Sequence, residues 1–172
     1  MTQDKKVNVY LSNFLTIIDE EYKLYEQMLS LLQKEQKALA NTDIDMFSSI
    51  EKEKDTLILE ARILEEGRKR TLSDLQDALG IKKGDLTLLE ICHYLKNQAD
   101  VERIKKLQDK FAHLMTKIDD KNRANACLIE HAISYARGLY TFLLDTMKPQ
   151  GIYSKNGEIQ RKSATTSFTN TL

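Results

Sequence analysis

Residues 100–147 run for forty-eight positions without a proline, and their apolar side chains recur alternately every four and three residues. Ile104, Gln108, Phe111, Met115, Ile118, Asn122, Asn125, Ile129, Ala132, Ala136, Leu139 and Leu143 trace that seam. Such alternation marks a helix that packs one stripe against another helix. At 1.5 Å per residue the helix is about 70 Å long. A compact globule of 172 residues has a radius of gyration near 16 Å, to order of magnitude about a quarter of that length. The helix cannot be enclosed in a sphere, so an elongated, rod-like bundle is expected.

The rest of the chain supports helices. One proline and six glycines in 172 residues are too few for a short-turn β architecture. Over residues 4–40, Leu11, Leu15, Ile18, Tyr22, Tyr25, Leu29, Leu32, Gln36 and Leu39 form a second heptad seam. Asn41, Thr42 and Asp43 then favour a tight turn and a helix N-cap. A second helix is expected over 44–79, with Phe47, Ile50, Leu57, Ala61, Leu64, Leu72, Leu75 and Leu79 on its apolar face. Lys54 and Arg68 fall on the same stripe; their stems can pack while their charges reach water. The short turn makes the first two helices an antiparallel hairpin. Gly80 is the natural C-cap. Gly84 and Asp85 mark a loop, and Thr87 with Glu90 can form the capping box of a short helix over 87–95. That helix would bury Leu88 or Leu89, Ile91, Cys92 and Leu95. Lys148, Pro149 and Gly151 end the last helix. The tail has few apolar residues and many Ser and Thr, and is expected to be disordered. The fold class is all-α: an elongated antiparallel helical bundle or coiled coil of three long helices plus one short helix. The bundle domain covers 1–147, with a partner-binding helix over 100–147, and the flexible C-terminal tail covers 148–172.

Charge and chemistry narrow the function. The 26 basic and 26 acidic side chains cancel, so no global field holds the chain on nucleic acid or an anionic membrane. No apolar run reaches the length of a spanning helix. Lys5 and Lys6 before Val7 to Ile18 resemble the start of a signal peptide. Asn8, Ser12, Asn13 and Thr16 interrupt that stretch, and acidic residues follow it without a cleavage site, so it reads as part of the fold. Cys92 and Cys127 form no closely spaced pair, which fits a reduced, cytosolic compartment. Glu90 and His93 have the Glu-x-x-His spacing of a di-iron bundle, but a second such motif is missing. Cys127 and His131, four apart on the polar side, lack a third ligand. The pairs Glu20-Glu21, Glu65-Glu66 and Asp119-Asp120 cannot form acid/base dyads, because adjacent helical residues diverge. No phosphate loop or nucleophile elbow is present, and Glu65 and Glu66 precede the basic run Arg68-Lys69-Arg70. The reading is binding without catalysis, metal or cofactor.

The second half of the last helix is too apolar for one seam. Ile129, Ala132, Ala136, Leu139 and Leu143 hold the seam, Leu128, Tyr135 and Phe142 the position before it, and Ile133 and Tyr140 the position after. Four of every seven positions are apolar, whereas a two-helix seam needs about two and a globular helix about three. Either the helix is buried between two neighbours, or part of this face awaits a partner. Asn122 and Asn125 on the seam either fix register or mark where the helix leaves its own bundle.

These residues carry a resemblance. The run from Asn122 to Glu130, the amphipathic helix after it, and then Ile152-Tyr153-Ser154-Lys155-Asn156-Gly157 resemble the FlgN family of flagellar type III export chaperones. Leu29 to Leu39 with Glu35, Ile50 to Lys54, Leu57 and Leu64 to Arg68 are similar to the family's N-terminal hairpin. The resemblance covers residues 10–157. It implies a cytosolic, non-enzymatic chaperone that binds the hook–filament junction (hook-associated) proteins FlgK and FlgL. It would prevent their premature assembly and deliver them to the export gate protein FlhA. The family's client-binding helix corresponds to Asn122, Asn125, Leu128, Ile129, Ala132, Ile133, Ala136, Leu139, Tyr140 and Leu143. Its gate-docking Tyr-x-x-x-Gly corresponds to Tyr153 and Gly157, with Ser154 where the family often has Gly. The rival reading is a homo-oligomeric coiled-coil scaffold. The same face would then serve self-association, which is also an expectation for the client-free chaperone.

Overall fold

Long breaker-free stretches do form long helices. In a computed structural model, which describes residues 3–81, 88–95, 97–147, 152–153 and 159–160, α1 spans Gln3–Ala40 and α2 spans Ile44–Leu79. The short α3 spans Leu88–Cys92, and α4 runs as fifty residues, Gln98–Met147. Two two-residue strands follow, β1 at Ile152–Tyr153 and β2 at Ile159–Gln160, paired antiparallel. These four residues carry backbone pairing within a tail expected to be largely disordered. The chain divides into two units, Met1–Leu128 and Ile129–Leu172.

In the first unit, α1 and α2 form the expected hairpin. Asp43 caps α2: its Oδ1 accepts from the Met46 N–H at 2.9 Å. Thr42 carries the turn in the left-handed region, at φ 57°. Gly80 ends α2 at φ 72°, and the Ile81 N–H reaches back to the Gln76 carbonyl at 3.0 Å. Both are features of a helix closed by a left-handed residue. A Cβ at Gly80 would meet nothing within 4 Å, so only backbone strain opposes a side chain there. Gly80→Ala should therefore cost about 1 kcal/mol of stability in chemical denaturation, without changing the m-value.

Two apolar clusters stabilise this unit. One joins Leu11, Phe14, Leu15 and Ile18 of α1 to Leu75 of α2, Ile91 of α3, and Ile104 and Leu107 of α4. Val7 and Tyr10 pack against it, so the stretch from Val7 to Ile18 belongs to the core. The other joins Leu24, Leu31 and Ala38 of α1 to Ile50 and Leu57 of α2. The α2 stripe is as expected. α1 differs by carrying two seams. Its expected seam meets α4: Tyr22 and Tyr25 set their rings edge-on to Phe111, at 5.4 and 6.1 Å. A second seam, through Leu24, Leu31 and Ala38, meets α2. A helix between two neighbours needs both.

α3 is shorter than the expected 87–95, because the chain turns at His93 and Tyr94. Ile91 is fully buried, and Cys92 and Leu95 pack beside it. Thr87 of the expected capping box, the Gly84-Asp85 loop, and Lys148, Pro149 and Gly151 lie outside the described residues.

Candidate functional site

α4 is held to the hairpin by a buried polar group, and the expected site begins there. The Asn125 amide nitrogen donates to the Leu32 carbonyl at 2.8 Å and to Glu35 Oε2 at 2.9 Å. Lys54 Nζ donates to Glu35 Oε1 at 3.1 Å and to Glu51 at 2.7 Å. Burial pulls the Lys54 ammonium down, but the hydrogen bonds it donates to Glu51 and Glu35 outweigh this and leave its pKa above the ordinary value. A second pair crosses the hairpin, with Arg68 Nε donating to Glu21 at 3.0 Å. Lys54 and Arg68 therefore do not simply send their charges to water, as expected; each meets a buried carboxylate on α1. The sequence contained this signal. Glu21 and Glu35 are fourteen residues apart in α1, and Lys54 and Arg68 fourteen apart in α2, which matches an antiparallel register.

These contacts correct the phase of the α4 seam. Ile104 and Asn125 are buried as expected, but Gln108 and Asn122 are exposed. Leu107 and Leu114 are buried instead. Lys121 follows in the same register and donates to Gln36 at 2.9 Å. The buried stripe thus pairs Ile104, Phe111, Ile118 and Asn125 with the residue three positions on, not four. Asn125 is 2% exposed; its amide nitrogen is bonded inside the first unit, and its buried amide oxygen has no partner among the described residues.

Beyond Ile129 the same helix is bare. Leu128 and Ile129 are half-buried, and every residue from His131 to Met147 is exposed. Ala132, Ile133, Ala136, Leu139, Tyr140 and Leu143, all expected in the site, lie in this stretch. So do Tyr135, Phe142, Leu144 and Met147, which the site assignment left out. Tyr135 is 70% exposed, and Tyr140 and Phe142 are each 65% exposed, far more than aromatic rings of a packed helix. At 100° per residue the apolar side chains cover an arc of roughly 200°. Glu130, Ser134, Arg137, Thr141 and Asp145 occupy the remainder. This surface can cover apolar helices; it presents no constellation for bond chemistry.

Other candidates give less. His93 lies in the turn after α3, where its N–H donates to the Glu90 carbonyl at 3.1 Å. Cys127 and His131 are exposed. Among the described residues no group of three His, Cys, Asp or Glu is placed to hold a metal. Burial pushes the Cys92 thiol up, away from the reactive thiolate. A cleft of about 410 Å³ between α1, α2 and α4 is lined by Glu21, Tyr25, Arg68, Phe111 and Met115. Burial there pushes the Glu21 carboxyl above the ordinary range, and Arg68 offsets this only in part. The folded state then keeps a proton that the unfolded state has released, so stability falls as pH rises through that interval. Glu21→Gln should flatten the slope of thermal midpoint against pH in the interval just above the ordinary glutamate value. An unchanged slope would place its source in another group.

The family model described as FlgN protein matches residues 9–161, from the first turns of α1 through β2. The chain belongs to the FlgN family. No curated protein and no solved structure matches it. FlgN proteins are flagellar export chaperones, a non-enzymatic family that binds flagellar proteins, and this chain has that role. Among the described residues no helix is long and apolar enough to cross a membrane.

Proposed function

We propose that this FlgN-family chain binds junction proteins of the FlgK and FlgL type in the cytoplasm, keeps them from premature assembly, and brings them to an FlhA-type export gate. The observation that carries this reading is the bare apolar face of α4 between Leu128 and Met147. An amphipathic helix of this kind binds another helical segment through apolar anchors repeated at helical spacing. The proposed client face comprises Leu128, Ile129, Ala132, Ile133, Ala136, Leu139, Tyr140 and Leu143, to which Tyr135 and Phe142 are added. Asn122, exposed one heptad before Ile129, stays at its edge; Asn125 leaves it because its amide is bonded to α1.

Gate docking is assigned to Tyr153 and Gly157 on the strength of the family motif. Tyr153 lies in β1, paired with Ile159; Gly157 lies outside the described residues. An aromatic anchor can dominate a small, transient interface. Calorimetry of the full chain against a purified FlgK-type protein, and against the cytosolic part of an FlhA-type gate, tests both halves. Tyr153→Ala should leave client affinity unchanged and weaken gate binding by at least about tenfold. Equal loss for both partners would make Tyr153 a structural residue. No binding of the junction protein by the wild type would end the proposal.

A further inference from the structure

From Leu128 to Met147, α4 carries two seams that share no residue. The first runs through Leu128, Ala132, Tyr135, Leu139 and Phe142, spaced four, three, four and three. It continues the stripe of Leu107, Leu114 and Asn125 that packs on the hairpin in the first unit. The second runs through Ile129, Ile133, Ala136, Tyr140, Leu143 and Met147, spaced four, three, four, three and four. Their centres are roughly 100° apart around the helix. Between Asp119 and Ile129 the second seam passes through Asp119, Asn122 and Ala126, all exposed, with no large apolar side chain among them. The helix is therefore one-sided where it meets its own hairpin and two-sided where it is bare.

A single partner helix fills only one such seam, because knobs-into-holes packing uses about two positions in seven. It would leave the other row of apolar side chains in water. Charge does not select the partner here: Glu130, Arg137 and Asp145 are the only ionic groups with full charge between Ile129 and Met147, and they nearly cancel. We infer that a client lays two amphipathic helices side by side on α4, one in each seam, so that α4 becomes the third helix of a mixed bundle. This deepens the function proposed above and rests on it. Recognition is then by two apolar seams at a fixed angle, which a lone amphipathic helix cannot satisfy.

The chain has no tryptophan, and each seam contains one tyrosine, so Tyr135→Trp and Tyr140→Trp give one clean probe per seam. With 5-fluorotryptophan in the chaperone only, fluorine NMR reads each position in complex with the purified FlgK-type junction protein. Both probes should shift and lose solvent contact on complex formation. In parallel, Tyr135→Glu with Phe142→Glu blocks the first seam, and Ile133→Glu with Tyr140→Glu blocks the second. Each pair should weaken the complex by at least about tenfold while helical content is kept. A complex that protects only one probe, or tolerates charge in one seam, overturns the two-helix inference and leaves the chaperone reading standing. Protection that grows with concentration of the chaperone alone assigns the second seam to another copy of this chain and also overturns it. Absence of any complex takes down both readings.

Discussion

Changing Leu139 and Leu143 together to Asp should abolish client capture and leave the isolated protein folded. The two residues lie one on each seam of the bare helix, and both are exposed. Neither belongs to the apolar clusters that stabilise the first unit. Their substitution removes no internal contact of those clusters, so circular dichroism and thermal midpoint should change little. In the complex, two carboxylates would be buried against apolar helix surface without partners, at several kcal/mol each. Affinity for a FlgK-type protein should fall by at least about 100-fold in calorimetry. Collapse of the helical signal in the free double variant would show these leucines to be internal core. Undiminished capture would move the client site elsewhere, and the exposed Ile58, Leu59 and Ile63 of α2 would be the next face to test.

The helices were legible because spacing and breakers act locally. Asp43 and Gly80 declared the ends of α2 by their own chemistry, and both cap as their types require. The phase of α4 was not legible. Ile104, Phe111, Ile118 and Asn125 make an acceptable seam with either Leu107 and Leu114 or Gln108 and Met115. Both choices alternate by four and three, and only the packed α1 selects between them. The same ambiguity touches Tyr135 and Phe142: in the expected phase they flank the seam, and in the phase set by Leu107 and Leu114 they lie on it. Glu21 and Glu35 stood outside the α1 seam that was read, because a helix packed on two sides has a second stripe. A search for charges matched across the hairpin at equal spacing would have found them. The excess of apolar positions after Leu128 needed no partner to be seen, since it is a property of one helix.

Lys54→Met should destabilise the protein by about 3 kcal/mol. The Glu35 side chain is only 3% exposed, and Lys54 is the one cation bonded to it among the described contacts. Methionine keeps the length and packing of the lysine stem but leaves the carboxylate facing only the Asn125 amide. A buried charge without its counter-charge costs more than the pair itself contributes. Glu35→Gln in the same chain removes the charge and still offers an acceptor to Asn125, so the double variant should recover most of the loss. The coupling in that double-mutant cycle should be about 2 kcal/mol by urea denaturation. The Lys54 pKa is raised, so its contribution is complete below the ordinary lysine value and is lost as pH rises through the raised one. The difference between wild type and Lys54→Met should therefore be constant around neutrality and shrink only in strong alkali. Additive single effects would mean that Glu35 is satisfied by Asn125 and water alone. In that case the three-way contact among α1, α2 and α4 fixes register and contributes little stability.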